Sequence, residues 1–167
     1  MFLDRGELSQ LMRWKLAREK WRPRLVQLVE SNSEQVVKDV TMKAAIAAKD
    51  ISDFTQESIL SLVDILIELK GVGPATASLI LSLYCPRDIP FFSDEAVLVM
   101  GLGKADYSKK FYVQFHRLMK ERAASETWAD DITRLERACW CHTILEKQAS
   151  KGDGETKPKN ISRIKKK

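Results

Sequence analysis

The chain has 167 residues and a formal net charge of +5. That length suits one domain, or two very small ones, and lets the chain bury about two-thirds of its unfolded surface without a disulfide or metal staple. An apolar content of 44% excludes a mostly disordered chain, and no apolar run reaches the roughly 18 residues of a membrane span.

In chain order, MFLDRGELSQ has no apolar secretion-signal core, and the three cysteines make no disulfide framework; both point to an intracellular protein. Leu8, Leu11, Met12 and Leu16 then fall on one helical face. Pro23 interrupts this first segment, and Ser31-Asn32-Ser33 offers a stop and a fresh N-cap. Val36, Val37, Val40, Ala44 and Ala47 make a second stripe, and Ser52 and Asp53 offer the next cap. Ile59, Leu60, Val63, Leu66 and Ile67 make a third; Ala77, Ile80, Leu81 and Tyr84 make a fourth. Two prolines force a loop over 85–90, and Gly101-Leu102-Gly103 ends an element that starts near Ser93. Phe111, Tyr112, Phe115, Leu118 and Met119 make a fifth stripe; Ile132, Leu135, Cys139 and His142 open a sixth that runs to about Gln148. No strand alternation is present, so the expected fold is all-α, a compact helical array in a single domain over 1–148. Residues 149–167 are expected to form a disordered basic tail, because KGDGETKPKNISRIKKK holds only two aliphatic residues.

The informative segment is the hairpin at 59–84, where one apolar helix enters Lys70-Gly71-Val72-Gly73-Pro74-Ala75-Thr76 and a second leaves it. Gly71 suits the positive φ that ends a helix, and Val72 plugs the turn. Gly73 admits close backbone approach, and Pro74 suits the first helical position. This resembles the helix-hairpin-helix motif, in which amides of the turn and of the following helix start meet a DNA phosphate. On that reading Lys70, Gly71, Val72, Gly73, Ala75 and Thr76 bind duplex DNA without reading sequence. A purely structural αα-hairpin is the alternative.

Downstream, Ile89-Pro90-Phe91-Phe92-Ser93-Asp94 leads an apolar stretch into an acid at a helix start. Together with the hairpin, this resembles the helix-hairpin-helix DNA glycosylase superfamily, which includes endonuclease III-like and adenine-mismatch enzymes. The resemblance covers residues 58–100 and, more loosely, 101–148. It implies base-excision repair of DNA, and it implies that Asp94 is the carboxylate facing a flipped nucleotide. The alternative for Asp94 is an ordinary helix cap. The chain departs from the family at several points. Ala75 stands where bifunctional members carry a Schiff-base lysine, so any activity is expected to be monofunctional. Cys85, Cys139 and Cys141 do not supply an iron–sulfur cluster, and neither cofactor nor metal is expected. Less chain precedes the hairpin than family members place there for closing a base pocket, which sets DNA binding without catalysis ahead of a working glycosylase.

Other features stay open. Residues 13–24, RWKLAREKWRPR, are either a second phosphate-facing strip with Trp14 or Trp21 stacking on bases, or a solvated amphipathic helix whose tryptophans pack inward. Cys139, Cys141 and His142 are expected to serve helix packing, and His116 to be a surface or core filler. Lys165-Lys166-Lys167 suits nuclear import. A protein-interaction scaffold that does not bind DNA is the remaining reading.

Overall fold

The computed structural model describes residues 2–125 and 131–152. The described residues form eight helices and no strand: α1 (Arg5–Arg18), α2 (Pro23–Glu30), α3 (Glu34–Lys49), α4 (Gln56–Leu66), α5 (Pro74–Tyr84), α6 (Asp94–Val99), α7 (Lys109–Ser125) and α8 (Ile132–Gly152). The fold is therefore the all-α array expected.

Local chemistry sets the helix ends. Asp4 and Glu7 close a reciprocal capping box on α1, with Glu7 N donating to Asp4 Oδ1 at 2.7 Å and Asp4 N to Glu7 Oε2 at 2.9 Å. Pro23 occupies the first turn of α2, where its missing N–H is harmless. Ser33 caps α3. The cap of α4 is Thr55, whose hydroxyl accepts from Ser58 N, and not Ser52 or Asp53 as expected. The reason is spacing: the apolar stripe starts at Ile59, and a cap must sit one turn ahead of it.

At the centre lies α5, whose residues 75–82 are all buried. It is flanked by α3, α4 and α7; α1 packs on α2 and α3, and α8 on α6 and α7. A helix apolar on nearly every side belongs in the middle of such an array. The stripes shift where neighbours demand it. Val36 is exposed, while Thr41, Ala45 and Ala48 join the buried face of α3. The helix α8 continues past the expected end near Gln148 to Gly152; the rest of the expected tail, 153–167, lies outside the described residues.

Phe92 anchors the loop between α5 and α6. Its ring sits 5.2 to 5.9 Å from the rings of Phe115, Tyr112, Phe111 and Tyr107, and its N–H donates to the buried Ser78 hydroxyl at 2.9 Å. Such aromatic packing fixes geometry as well as burying area, and it fixes the Ser93-Asp94 step that follows.

Candidate nucleic-acid interface and the carboxylate beside it

The turn between α4 and α5 is built from main chain. Gly71 takes φ +80°, and a Cβ there would lie 2.9 Å from Leu28 Cβ and 3.1 Å from Leu25 O. The turn is thus pressed against α2, and only glycine fits both the dihedral and the space. The buried Asn32 side chain fastens it. Its Nδ2 donates to Lys70 O at 3.0 Å and to Val29 O at 2.8 Å, and its Oδ1 accepts from Lys70 N at 2.9 Å. Lys70 N, expected to face phosphate, is therefore used inside the protein, and Lys70 contributes its exposed side chain instead.

Gly73 differs. It starts α5 as an N-cap with no side-chain cap bond, its φ is an ordinary −111°, and nothing lies within 4 Å of an added Cβ. Val72 N bonds to Leu69 O. The N–H groups of Gly71, Gly73, Ala75 and Thr76 have no acceptor among the described residues. Gly71 and Gly73 are half-buried, whereas Val72, Ala75 and Thr76 are buried and hold the turn on the core. An uncapped start of an 11-residue helix with open space before it presents N–H donors and the positive end of the helix dipole.

The structure also joins two separate sequence motifs. The helix α2 opens with Arg22 and Arg24 just ahead and at its first turn, and packs Leu25, Leu28 and Val29 on Gly71. Lys20, Arg22, Arg24 and Lys70 are all exposed. The expectation that the tryptophans pack inward is not met: Trp14 is 47% exposed and Trp21 56%. Lys15, placed in the same basic run, is buried against Glu19.

Asp94 is the first residue of α6, and the cap is its neighbour Ser93, whose hydroxyl accepts from Ala96 N at 3.3 Å. The Asp94 carboxylate is thus not the N-cap acceptor. Its Oδ1 accepts from the Tyr107 hydroxyl at 2.5 Å, and Arg22 lies over the Tyr107 ring at 5.4 Å. Burial, then the hydrogen bond to Asp94, push the Tyr107 hydroxyl well above its ordinary range, so it remains a donor. Glu19 and Glu95 lie within electrostatic reach. Burial raises the Glu19 carboxyl, Lys15 opposes that, and the charges of Asp94 and Glu95 add to it. Glu95 is buried with Oε2 unpartnered, and Lys147 stands 3.7 Å from its other oxygen. Sequence reading missed Glu19, Tyr107 and Asn32, because each acts on a residue far away in the chain.

Cys139 is buried while Cys141 and His142 are exposed, His142 facing Glu146 at 3.3 Å, so the three do not converge. No group of three His, Cys, Asp or Glu side chains among the described residues is arranged to hold a metal ion. His116 is buried, its Nε2 2.7 Å from Asp88 O, and burial lowers its pKa. No helix of the described residues is long and apolar enough to cross a membrane. No family model, no curated protein and no solved structure matches this chain.

Proposed function

We propose that the protein binds duplex DNA through the phosphate backbone, using the α4–α5 turn. The observation that supports this best is the uncapped start of α5, where amides without an acceptor stand behind the open side of Gly73. A phosphate oxygen supplies the missing acceptor, and the dipole of α5 favours its charge. Lys70 and the basic start of α2 add charge without sequence readout.

Gly73→Asp tests it. An N-cap aspartate puts an acceptor on the same amides, so the fold holds its stability to within a few tenths of a kcal/mol or gains slightly. The same carboxylate repels phosphate, and duplex affinity is expected to fall at least about tenfold. Affinity of the parent protein should also drop steeply with salt. Absence of duplex binding at low salt, or binding untouched by Gly73→Asp, removes this reading and leaves a protein-interaction scaffold.

A second reading, a monofunctional DNA glycosylase acting in base-excision repair, is favoured by one observation: Ser93 takes the capping task and leaves the Asp94 carboxylate for other work. In this role Asp94 stabilises positive charge on the sugar or activates water as the base leaves. Base release from a panel of lesion-bearing duplexes, abolished by Asp94→Asn, establishes it; no release on any substrate leaves a binding module.

A further inference from the structure

The outer side of α3 carries apolar residues that the core does not use. Val36, expected in the core stripe, is 44% exposed, and Met42 and Ile46 are 39% and 56% exposed. The core-facing side of α3 is already filled by Val37, Val40, Ala44 and Ala48. A shallow concavity of about 520 Å³ lies on the outer side, lined by Asp39, Met42, Lys43, Ile46, Ala47 and Asp50. Single exposed apolar residues are ordinary, but three along one side of one helix make a patch.

The order of charges within the patch says what fits it. Val36, Asp39, Lys43 and Ile46 are exposed and follow at spacings of three, four and three residues, the spacing of a seam between two packed helices. Read along the seam, the order is apolar, acid, base, apolar. Laid antiparallel on a copy of itself, with a two-fold axis level with residue 41, the seam sets Val36 opposite Ile46 of the second copy. It sets Asp39 opposite Lys43 of the second copy, and the two-fold repeats both matches. Met42 of each copy flanks the axis. Laid parallel, the same seam sets acid on acid and base on base, which repels. The charges are free to pair in this way. The Asp39 carboxylate accepts from Gln35 Nε2 at 2.8 Å and meets no cation among the described residues. Lys43 stands 3.2 Å from Glu68 with both side chains more than half exposed, a pair of little worth in water.

We infer that the outer face of α3 binds a second copy of this chain, as an antiparallel two-fold pair of α3 helices. Such an interface is isologous: one patch meets itself, so every contact occurs twice. A merely apolar helix from another protein would cover Val36 and Ile46 but leave Asp39 and Lys43 without opposite charges. One helix face is a small interface, so the dimer is weak and its population follows protein concentration. The dimer does not rest on the DNA reading.

Sedimentation equilibrium of the full chain, from about 1 μM to about 1 mM, tests it over the range of a weak complex. The mass is expected to rise from that of one chain toward that of two. Ile46→Asp puts a charge in an apolar layer and is expected to weaken the dimer at least about tenfold. Asp39→Lys alone sets base against base, and Lys43→Asp alone sets acid against acid; each is expected to weaken it by a similar factor. An equal mixture of these two variants restores both opposite-charge layers, so its mass is expected to rise again. All three positions are exposed, and urea midpoints taken on dilute protein are expected to match the parent. A single-chain mass at every concentration overturns the dimer and leaves the face to a different partner. A dimer unaltered by Ile46→Asp overturns the use of α3, and a mixture that stays at the mass of one chain overturns the antiparallel seam. No DNA is present in these measurements, so failure here and failure of the hairpin reading are told apart.

Discussion

At the α4–α5 turn the polar groups that face outward are main-chain amides from a few consecutive residues, whereas around Asp94 they are side chains gathered from α1, α6 and the segment before α7. The turn is rigid because Gly71 is pressed on α2 and Asn32 ties Lys70 from both sides. Its donors stay open because the helix start has no side-chain cap. The carboxylate corner is held by side-chain pairs, Tyr107 on Asp94 and Lys15 on Glu19, and it crowds three acids, with Glu19 Oε1 and Glu95 Oε2 left buried without a partner. A binding surface needs only unpaired donors on a stiff frame. A site that controls a charge needs partners whose positions the whole fold decides.

Substitutions sharpen that contrast. The largest effect is expected for Gly71→Val, which forces a β-branched residue to φ +80° and drives its Cβ into Leu28. A loss of about 3 kcal/mol or more in urea unfolding is expected, and a loss under about 1 kcal/mol would mean that the turn is not pressed on α2. Asn32→Ala comes next. It leaves Lys70 N and O and Val29 O without their side-chain partner in a buried place, with an expected cost of about 2 kcal/mol. Tyr107→Phe removes one hydrogen bond from the half-buried Asp94 and is expected to cost about 1 kcal/mol in the same measurement. If Tyr107→Phe costs more than Asn32→Ala, the carboxylate corner and not the turn is the stiffer region.

The smallest effects are in pH dependence, and they carry opposite signs. Burial lowers His116, so the folded state stays neutral at pH values where the unfolded state is protonated; its contribution is present above about 6.5 and is lost as pH falls below that. Burial raises Glu19, so the folded state keeps its proton longer than the unfolded chain; that contribution is present below about 4.5 and is lost as pH rises through the raised value. Urea midpoints across pH should show both slopes. His116→Gln is expected to flatten the first, and Glu19→Gln the second.

Much of the fold was legible in the sequence because helical periodicity and capping are local. Pro23, Ser33 and Gly101 mark boundaries through their own backbone and side-chain chemistry, and the structure places them there. The cap of α4 was misplaced because Ser52, Asp53 and Thr55 have similar chemistry, and only packing of the Ile59 stripe selects among them. The buried Lys15 was unreadable because a lysine in a basic run looks solvated until Glu19 and the core close over it.

What the sequence determined by itself is the all-α class, six of the helical stripes and the Gly-Val-Gly turn, since φ preferences, missing N–H groups and apolar spacing act within a few residues; that Pro23 opens a separate helix, α2, came from the structure. What only the tertiary structure decided is which polar groups are left unmatched, the amides at the start of α5 and the buried Glu95 Oε2, and which groups keep company with Asp94. Those depend on side chains brought together from distant parts of the chain, because desolvation and pairing are properties of a place in the fold and not of a residue type.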